Sequence, residues 1–405
     1  MIKIIPTHQV RIGMYIEAIQ GAWIDNPFWK KAFKLDGIED LKKLQESIVK
    51  EVMIDTSKGL DVEQAVVALS EDGPPKQAEL EITLPVKPVK LSVARVTNAQ
   101  ERAKAKTIIN ASKKAVTSMF NDMRMGRAAN TDFAVPLVEQ ISESLERNEG
   151  ALISLVRLKT KDNYTYMHSV AVCALMIRLA RELQLSELDV KQAGLAGLLH
   201  DVGKSRIPNE LLNKPGALTS AEFDEVKLHP ERGYALLQQA EITDAATLEV
   251  CLHHHEKIDG SGYPHQLNGS QISLIAKIAA VCDVYDAVTS DRPYKSGWCP
   301  AVSLHRMAQW TGHFEPKVFE AFVKCLGIYP VGSFVSLNSG RLGLVIDQSG
   351  KSLLQPIVKV FFSTTHKCRI PIEVLDLSKS DVKDQIIGFE DPALWGITDA
   401  NDLWD

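Results

Sequence analysis

Residues 150 to 325 carry apolar side chains at helical spacing with hardly a break. Two helix starts in this stretch have the spacing of a capping box, since Ser186 is followed three residues later by Asp189, and Thr219 by Glu222. The connections between the periodic segments are short. The pattern therefore predicts an all-α region that is large enough to bury a core of its own.

Different patterns flank this helical region. Short β-like stretches alternate with one helix near Gly37 to Ser47 at the start of the chain, and β-branched residues alternate with polar ones around Gly-rich turns after Tyr329. The stretch EDGPPKQAELEITLPVKPV holds four prolines and has the composition of a linker. We therefore expect a multidomain chain, with a small α+β N-terminal module at 1–70, a linker at 71–92, a helical connecting region at 93–149, a helical catalytic domain at 150–327 and a small β-rich C-terminal appendage at 328–405.

The connecting region predicts a long amphipathic helix between Ala94 and Met125. Its apolar face is formed by Ile108, Ala111, Ala115, Met119 and Met123. An apolar face alone does not choose between packing on its own domain and pairing with a second copy of the chain, so a homodimer is left open. Thr131 is the expected N-cap of the helix that follows.

Charge and hydropathy exclude several classes of protein. Lys and Arg number 46 against 51 acidic residues, a formal charge of −5, so the basic excess of a general DNA or RNA binder is missing. No run approaches the roughly 18 continuous apolar residues of a membrane helix. The first residues lack the layout of a signal peptide. We expect a cytoplasmic protein without membrane or nucleic-acid partners.

The six cysteines are scattered and have no C-x-x-C spacing. Most stand among apolar neighbours, as free buried thiols do in reducing compartments. A disulfide framework and a cysteine-based zinc site are therefore excluded.

Histidines concentrate in the helical region. Seven of the eleven lie between residues 168 and 265, where an even spread would place about three. With two nearby aspartates they provide seven candidate metal ligands: His168, His200, Asp201, His229, His254, His255 and Asp283. Imidazole and carboxylate suit iron, manganese or zinc. Seven ligands are too many for one open site and sufficient for two cations bridged by a carboxylate.

Each candidate taken alone has a plainer interpretation. His168 could be a core histidine with its hydrogen bonds satisfied, and His229 could interact with carbonyls at a helix end. His200 and Asp201 could form a buried structural pair. Three consecutive histidines at 253–255 cannot all face one way on a helix. The clustering of so many candidates favours metal binding over these separate explanations.

Five sequence blocks stand in order between residues 150 and 325. They are His168, HDVGK at 200–204, His229-Pro230 with Gly233, HHEKIDGSGYP at 254–264 and DVYDAVTSDRPYK at 283–295. In this order and spacing they resemble the HD-GYP family of cyclic di-GMP phosphodiesterases, a subgroup of the HD metal-dependent phosphohydrolases. The stretch VRIGMYI resembles, more weakly, an uncharacterised module often found ahead of this domain. The resemblance implies that the helical region is an HD-type catalytic domain.

The resemblance also implies a role for each candidate ligand. One metal would be held by His168, His200, Asp201 and Asp283, and Asp201 would bridge to a second metal held by His229, His254 and His255. His253 and His265 are left as bystanders, and His265 is expected to face solvent.

Substrate contacts follow from the same resemblance. Lys204 corresponds to a lysine that contacts the scissile phosphate, and Arg292 and Lys295 correspond to basic residues that bind the phosphates and the guanine side of the ligand. Two surface cations three residues apart could also be merely solvated. Asp286 corresponds to a carboxylate that orients the nucleophilic water or assists proton transfer.

The chain departs from the family pattern at two positions. Tyr164 stands where members with a third metal have glutamate, so we expect two metals. Gln266 stands where many members have glycine. The loop Gly260 to Pro264 could serve as a tight turn or contact a substrate or partner directly, and Glu256 is expected, with Asp259, to orient the ligands or this loop.

These observations predict a metal-dependent phosphodiesterase of bacterial second-messenger signalling. It would hydrolyse cyclic di-GMP to linear pGpG, with GMP as a further product, using two divalent cations, iron or manganese ahead of zinc. A binding-class rival is a cyclic di-GMP sensor or a module that docks signalling proteins through the GYP loop with negligible turnover. A second enzyme alternative is an HD hydrolase of another cyclic dinucleotide.

Overall fold

A computed structural model describes residues 2–19, 32–45, 50–60, 98–127, 131–148, 150–153, 164–290, 297–349 and 352–397. The chain divides into two compact units, Met1–Ser92 and Val93–Asp405. The predicted linker at 71–92 lies outside the described residues. The predicted domain boundaries stay predictions.

The described part of the first unit is a small antiparallel sheet with one helix. Its elements are β1 (Ile2–Pro6), β2 (Tyr15–Ile19), β3 (Phe33–Lys34), α1 (Ile38–Gln45) and β4 (Glu51–Asp55). The strand order is β1-β4-β2-β3, with Ile4 opposite Met53 in the first pair. Ile5 of β1 and Val52 of β4 stand opposite each other and belong to one buried apolar cluster.

The second unit begins with a helical region. Its helices are α2 (Asn98–Arg124), α3 (Ala134–Arg147), α4 (Tyr164–Glu182), α5 (Glu187–Leu199), α6 (Asn209–Leu212), α7 (Ser220–Val226), α8 (His229–Gln239), α9 (Ala245–His253), α10 (Leu274–Thr289), α11 (Pro300–Ala308) and α12 (Pro316–Leu326). Helix α4 packs against α5, α10 and α12. From Met167 to Ile177 its side chains are buried on every side, as in a helix at the centre of a bundle. The helical prediction is confirmed.

Two predicted helix starts are confirmed and a third is wrong. Ser186 and Thr219 cap α5 and α7 by accepting from the third residue of each helix, and Thr219 forms the full capping box with Glu222. Thr131 does not cap α3, which begins three residues later, after Phe133. The backbone carbonyl of Thr131 instead accepts from the N–H of Ala134 in a preceding turn.

The buried face of α2 differs from the predicted one. Ile108, Met119 and Met123 are buried as expected, but Ala111 is exposed and Ala115 is half-buried. Ser112 and Val116 are buried in place of these alanines, and the hydroxyl of Ser112 donates to the Ile108 carbonyl. This face packs on α3, α4 and the turn after α5, within its own unit.

A β-rich segment closes the described chain, as the alternating pattern predicted. Its strands are β5 (Phe334–Leu337), β6 (Arg341–Asp347), β7 (Ile357–Ser363), β8 (Cys368–Asp376) and β9 (Ile386–Phe389). They form an antiparallel sheet in the order β8-β7-β6-β5-β9, with apolar clusters around Phe334 and Val335, neighbours that face opposite sides of the strand. Along the chain, one small sheet precedes the helical region and another follows it.

All six cysteines are free, four of them are buried, and Cys368 is exposed. Within the described residues, none of the helices combines the length and the hydropathy needed to cross a bilayer.

Candidate active site

All seven candidate ligands converge, although they come from five separate helices or their ends. His168 lies in α4, His200 and Asp201 follow α5, His229 begins α8, His254 and His255 follow α9, and Asp283 lies in α10. The side chains of His200, Asp201 and His254 are fully buried or nearly so.

Two glycines allow the helix ends to approach each other. After α5 the chain turns through a 3-10 helix, Val202–Arg206. A methyl group on Gly203 would overlap the His229 carbonyl oxygen and lie 2.6 Å from the Gly233 nitrogen, while one on Gly233 would lie 2.6 Å from the Cys251 sulfur in α9. Only glycine permits these approaches, so the turn that bears Asp201 is held against α8.

Asp201 stands between two groups of imidazoles. Its Oδ2 lies 3.3 Å from His200 Nε2 and 3.5 Å from His168 Nε2. Its Oδ1 lies 3.3 Å from His229 Nε2 and 3.7 Å from His254 Nε2. The two oxygens of one carboxylate therefore face different histidines.

Two further contacts complete the geometry. Asp283 Oδ1 lies 2.9 Å from His168 Nε2, and Asp283 Oδ2 lies 3.7 Å from His255 Nδ1. The described residues yield two groups whose ligand atoms lie within 4.8 Å of one another. One is formed by His168, His200 and Asp283, and the other by Asp201, His229, His254 and His255.

Hydrogen bonds on the outer side of the rings orient four of these imidazoles. Three Nδ1 atoms bond to backbone carbonyls: His200 to Gly197 at 2.8 Å, His229 to Val226 at 2.7 Å and His254 to Val250 at 2.9 Å. The fourth, His168 Nδ1, bonds to Asp286 Oδ2 at 2.7 Å. When such a ring is neutral, donation from Nδ1 leaves the Nε2 lone pair facing the centre, as in metal-binding histidines.

The centre has unsatisfied buried atoms of the kind that bind metals. His200 Nε2 and Asp201 Oδ1 are buried and have no hydrogen-bond partner among the described residues. Such atoms are costly to bury unless something else interacts with them. Five imidazoles and two carboxylates fit divalent transition metals. The cluster could therefore hold metals.

The electrostatics keep both aspartates ionised. Burial would raise their pKa values, but His200 and Lys204 near Asp201, and His168 and His200 near Asp283, hold each pKa well below its ordinary value. Burial opposes protonation of His200, yet the two carboxylates raise its pKa to about 10. Burial lowers the pKa of His254 to about 4, so this imidazole is neutral.

Of the residues predicted to act in catalysis or to bind substrate, Lys204 lies at the centre of the ligand cluster and Asp286 lies behind one of its histidines. Lys204 Nζ donates to Asp201 Oδ2 at 2.5 Å and is therefore at the centre. Asp286 is buried on the outer side of His168, where it accepts from Nδ1, so it contacts an imidazole rather than the space between the ligands. Arg292 and Lys295 lie outside the described residues.

The GYP loop lies against the candidate ligands. The Tyr263 ring stacks on His255 with centroids 4.7 Å apart and planes at 28°. The buried Glu256 carboxylate accepts from the backbone N–H groups of His265 at 2.7 Å and Leu267 at 3.0 Å, which clamps the loop. A methyl group on Gly262 would lie 2.5 Å from Glu256 Cα, so glycine is required there for close approach.

The two predicted bystander histidines contact each other. His253 Nε2 lies 3.0 Å from His265 Nδ1, and His265 is exposed as expected. Neither belongs to the two groups of candidate ligands among the described residues.

Comparisons with known proteins agree with this architecture. The sequence matches the HD domain family over residues 141–318 and a domain of unknown function, DUF3391, over residues 2–134. The chain is 53% identical to the cyclic di-GMP phosphodiesterase PA4108 of Pseudomonas aeruginosa over 406 residues, covering 100% of this chain and 96% of that protein. It therefore belongs to the HD-GYP family of cyclic di-GMP phosphodiesterases.

Other relatives match less than half of the chain. The cyclic di-GMP phosphodiesterase response regulator RpfG of Xanthomonas campestris is 38% identical over 46% of this chain and 50% of its own length. The 3'3'-cGAMP-specific phosphodiesterase 1 of Vibrio cholerae is 33% identical over 47% of this chain and 44% of its own length.

Sequence reasoning missed one residue beside the site. Phe223 in α7 is 43% exposed, and its ring centroid lies 6.4 Å from that of Tyr263. Its helical neighbours gave no reason to single it out, because an exposed aromatic residue looks the same in sequence as a buried one.

Proposed function

We propose that this chain is a dinuclear metal-dependent phosphodiesterase that hydrolyses cyclic di-GMP to linear pGpG, with GMP as a further product. The position of Asp201 carries the proposal. One oxygen faces His168 and His200 and the other faces His229 and His254, at 3.3 to 3.7 Å. A carboxylate between two sets of imidazoles is suited to bridge two cations.

The proposed ligand sets follow these two faces of Asp201. His168, His200, Asp283 and Asp201 would hold the first metal, and His229, His254, His255 and Asp201 would hold the second. Two bound cations would neutralise the phosphodiester and make a water more acidic. Two metals rather than three are proposed because Tyr164 stands where glutamate would be needed for a third.

Iron or manganese is the proposed metal, with zinc as the alternative. Histidine and carboxylate ligands accept all three, and thiolate, which would favour zinc, is absent from the candidate set.

The chain's own residues bind the substrate and move protons around it. Lys204 contacts the Asp201 carboxylate and carries a positive charge that we propose stabilises the negative charge developing on the phosphoryl oxygens. We propose that Asp286 positions His168 through their 2.7 Å hydrogen bond, so any effect on proton transfer is indirect. Arg292 and Lys295 are proposed to bind the phosphates and the guanine side of the ligand.

The proposed substrate rests on the relatives. The relative that matches the whole chain is named for cyclic di-GMP, whereas the 3'3'-cGAMP-specific relatives match less than half of it. Cyclic di-GMP is therefore proposed ahead of other cyclic dinucleotides. The buried ligand set favours turnover over a role as a sensor, because a receptor has no need for a complete pair of metal sites.

The cysteines bear on the cellular location that we propose. Free cysteines, most of them buried, suit a reducing compartment, so we propose that the enzyme acts in the cytoplasm without nucleic-acid or membrane partners. Docking of a signalling protein on the GYP loop and homodimer formation remain additional proposals.

Anaerobic purification, metal analysis and chromatography of the products formed from cyclic di-GMP test the proposed function. We expect two metals per chain and release of linear pGpG. Asp201→Asn should lose metal and lower turnover by at least about a hundredfold, because this carboxylate is the proposed bridge. Asp381→Asn, at an exposed acidic position, is the matched control and should behave as the wild type.

Three results would contradict the proposal. A folded, active enzyme without bound metal would exclude metal dependence, and binding of cyclic di-GMP by the fully metallated protein without product would favour the sensor. Faster hydrolysis of a different cyclic dinucleotide in direct competition would reassign the substrate.

A further inference from the structure

Phe223 is an exposed aromatic residue at the edge of the candidate active site. It is 43% exposed, and its ring meets Tyr263 edge to face, at 6.4 Å and 79°. Tyr263 in turn stacks on His255, a candidate metal ligand. A continuous series of three rings therefore runs from the buried centre to the surface.

The backbone that bears Phe223 is well anchored. Thr219 and Glu222 form the capping box of α7, and Lys214 Nζ donates to both oxygens of Glu222 at 2.6 and 2.7 Å. These contacts fix the start of α7, so the exposed position of Phe223 is set by this helix. A single exposed apolar side chain is ordinary, so its neighbours carry the argument.

Those neighbours supply a positive charge. Lys227 Nζ lies 4.7 Å from the centroid of the Phe223 ring, close enough for a cation–π interaction, and 2.9 Å from Asp224 Oδ1. An aromatic ring with an ammonium group over one face suits a ligand that joins a flat base to a phosphate, since bases stack on aromatic rings and phosphates are attracted by cations.

We infer that Phe223 is a base-stacking subsite for one guanine of the substrate. The inference rests on the proposed function, in which one phosphodiester of a cyclic dinucleotide binds at the metals. Both bases then lie outside the ring of metal ligands. Phe223 contacts Tyr263, which stacks on the candidate ligand His255. One of the two bases stacks on the Phe223 side chain.

Two substitutions at this position separate stacking from simple apolar contact. Phe223→Leu keeps apolar bulk but removes the flat ring, and Phe223→Tyr keeps the ring. Stacking on an aromatic side chain contributes enough that its loss should raise the KM for cyclic di-GMP and the Kd for pGpG at least about fivefold in Phe223→Leu. Phe223→Tyr should recover most of this affinity. Metal content of each variant is measured in parallel.

Leu188→Ala is the matched control. Leu188 is 68% exposed in the first turn of α5, and His200 follows the opposite end of that helix. The substitution removes exposed apolar surface from the same region of helices and should change neither KM nor Kd.

The possible results are distinguishable. If wild-type enzyme turns over cyclic di-GMP and Phe223→Leu keeps the wild-type KM and Kd, the subsite is wrong. A fall in metal content or in kcat alone would show that Phe223 acts by supporting Tyr263, which also overturns the inference. Absence of turnover in the metallated wild type would mean that the proposed function has failed instead.

Discussion

At the scale of single residues, the orientation of His168 depends on a charged partner. The other three oriented imidazoles donate to backbone carbonyls, whereas His168 Nδ1 contacts the Asp286 carboxylate. A carboxylate on the outer nitrogen makes the inner nitrogen a more basic ligand. Asp286 lies one helical turn after Asp283 on α10, so a single helix provides both a candidate ligand and the group that orients another ligand.

Asp286→Asn tests this role. The amide oxygen can still accept from His168, but the negative charge is lost. Metal affinity should fall by about ten- to a hundredfold, and added metal should restore much of the turnover. Titration of the metal-stripped enzyme with metal, followed by activity, measures the shift. Equal metal affinity in Asp286→Asn and wild type would contradict the role, and Asp381→Asn is the control.

Gln266, in the GYP loop region, has an unusual backbone conformation. Its φ is +54°, in the left-handed region where glycine is favoured. Glycine would adopt this φ without the strain that a side chain brings. Gln266 keeps this conformation while the Glu256 carboxylate holds the residues on either side, His265 and Leu267.

At the scale of elements, a buried ion pair joins α2 to α3. Arg147 Nε and Nη2 donate to the two Glu101 oxygens at 2.8 and 2.9 Å, and the Ser144 hydroxyl donates at 2.9 Å. The Glu101 side chain is 1% exposed and that of Arg147 is 18% exposed. Burial would raise the pKa of Glu101, but the hydrogen bonds from Arg147 and Ser144 hold it below its ordinary value.

Glu101→Gln should therefore destabilise the helical region in a pH-dependent way. Because the pKa of Glu101 is lower in the folded state, its contribution is present above its unfolded pKa, near 4.5, and is lost as pH falls through the folded pKa. At pH 7 we expect a loss of about 2 kcal/mol in the free energy of unfolding, and this difference should shrink below pH 4.5. Urea unfolding at several pH values measures it.

Glu143 supplies a control for this pair. It also faces Arg147, at 3.7 Å, but is 65% exposed. Glu143→Gln should change the free energy of unfolding by less than about 0.5 kcal/mol, because exposed ion pairs are screened by water. Equal effects of the two substitutions would show that burial of Glu101 is unimportant.

At the scale of the whole molecule, two compact units divide the chain near residue 92. The first has its own core, formed by residues such as Met14, Ile16 and Ile54. All seven candidate ligands belong to the second unit, whose helices α2 and α3 pack on the helices that hold them.

A fragment of residues 93–405 should therefore fold and keep its metals and phosphodiesterase activity. Circular dichroism, metal analysis and turnover compare it with the full chain. A fragment of residues 164–405 is the contrasting case. It lacks α2 and α3, which would leave apolar surface of α4 and α5 exposed, so it should unfold at a lower temperature or aggregate. Loss of metal from the longer fragment would show that the first unit is needed to form the site.

The local features of the fold could be predicted from sequence because their causes are local. Apolar spacing predicts helices, and Ser186 and Thr219 bond to groups three residues away. The cap at Thr131 and the Ala111–Ala115 face of α2 were assigned incorrectly, because local sequence does not decide either of them. A polar residue can lie in a turn before the helix, and a small rotation selects Ser112 and Val116 for burial instead of alanines.

The sequence by itself determined which residue types were available for the site, in which order, and that they lie in a helical region. Only the tertiary structure decided that the two oxygens of Asp201 face different histidines, that Asp286 lies behind His168, and that Phe223 is exposed beside Tyr263. Spacing along the chain specifies contacts within one helix. The meeting of residues 168 and 286 depends on how whole helices pack, with glycines such as Gly203 and Gly233 allowing their ends to approach.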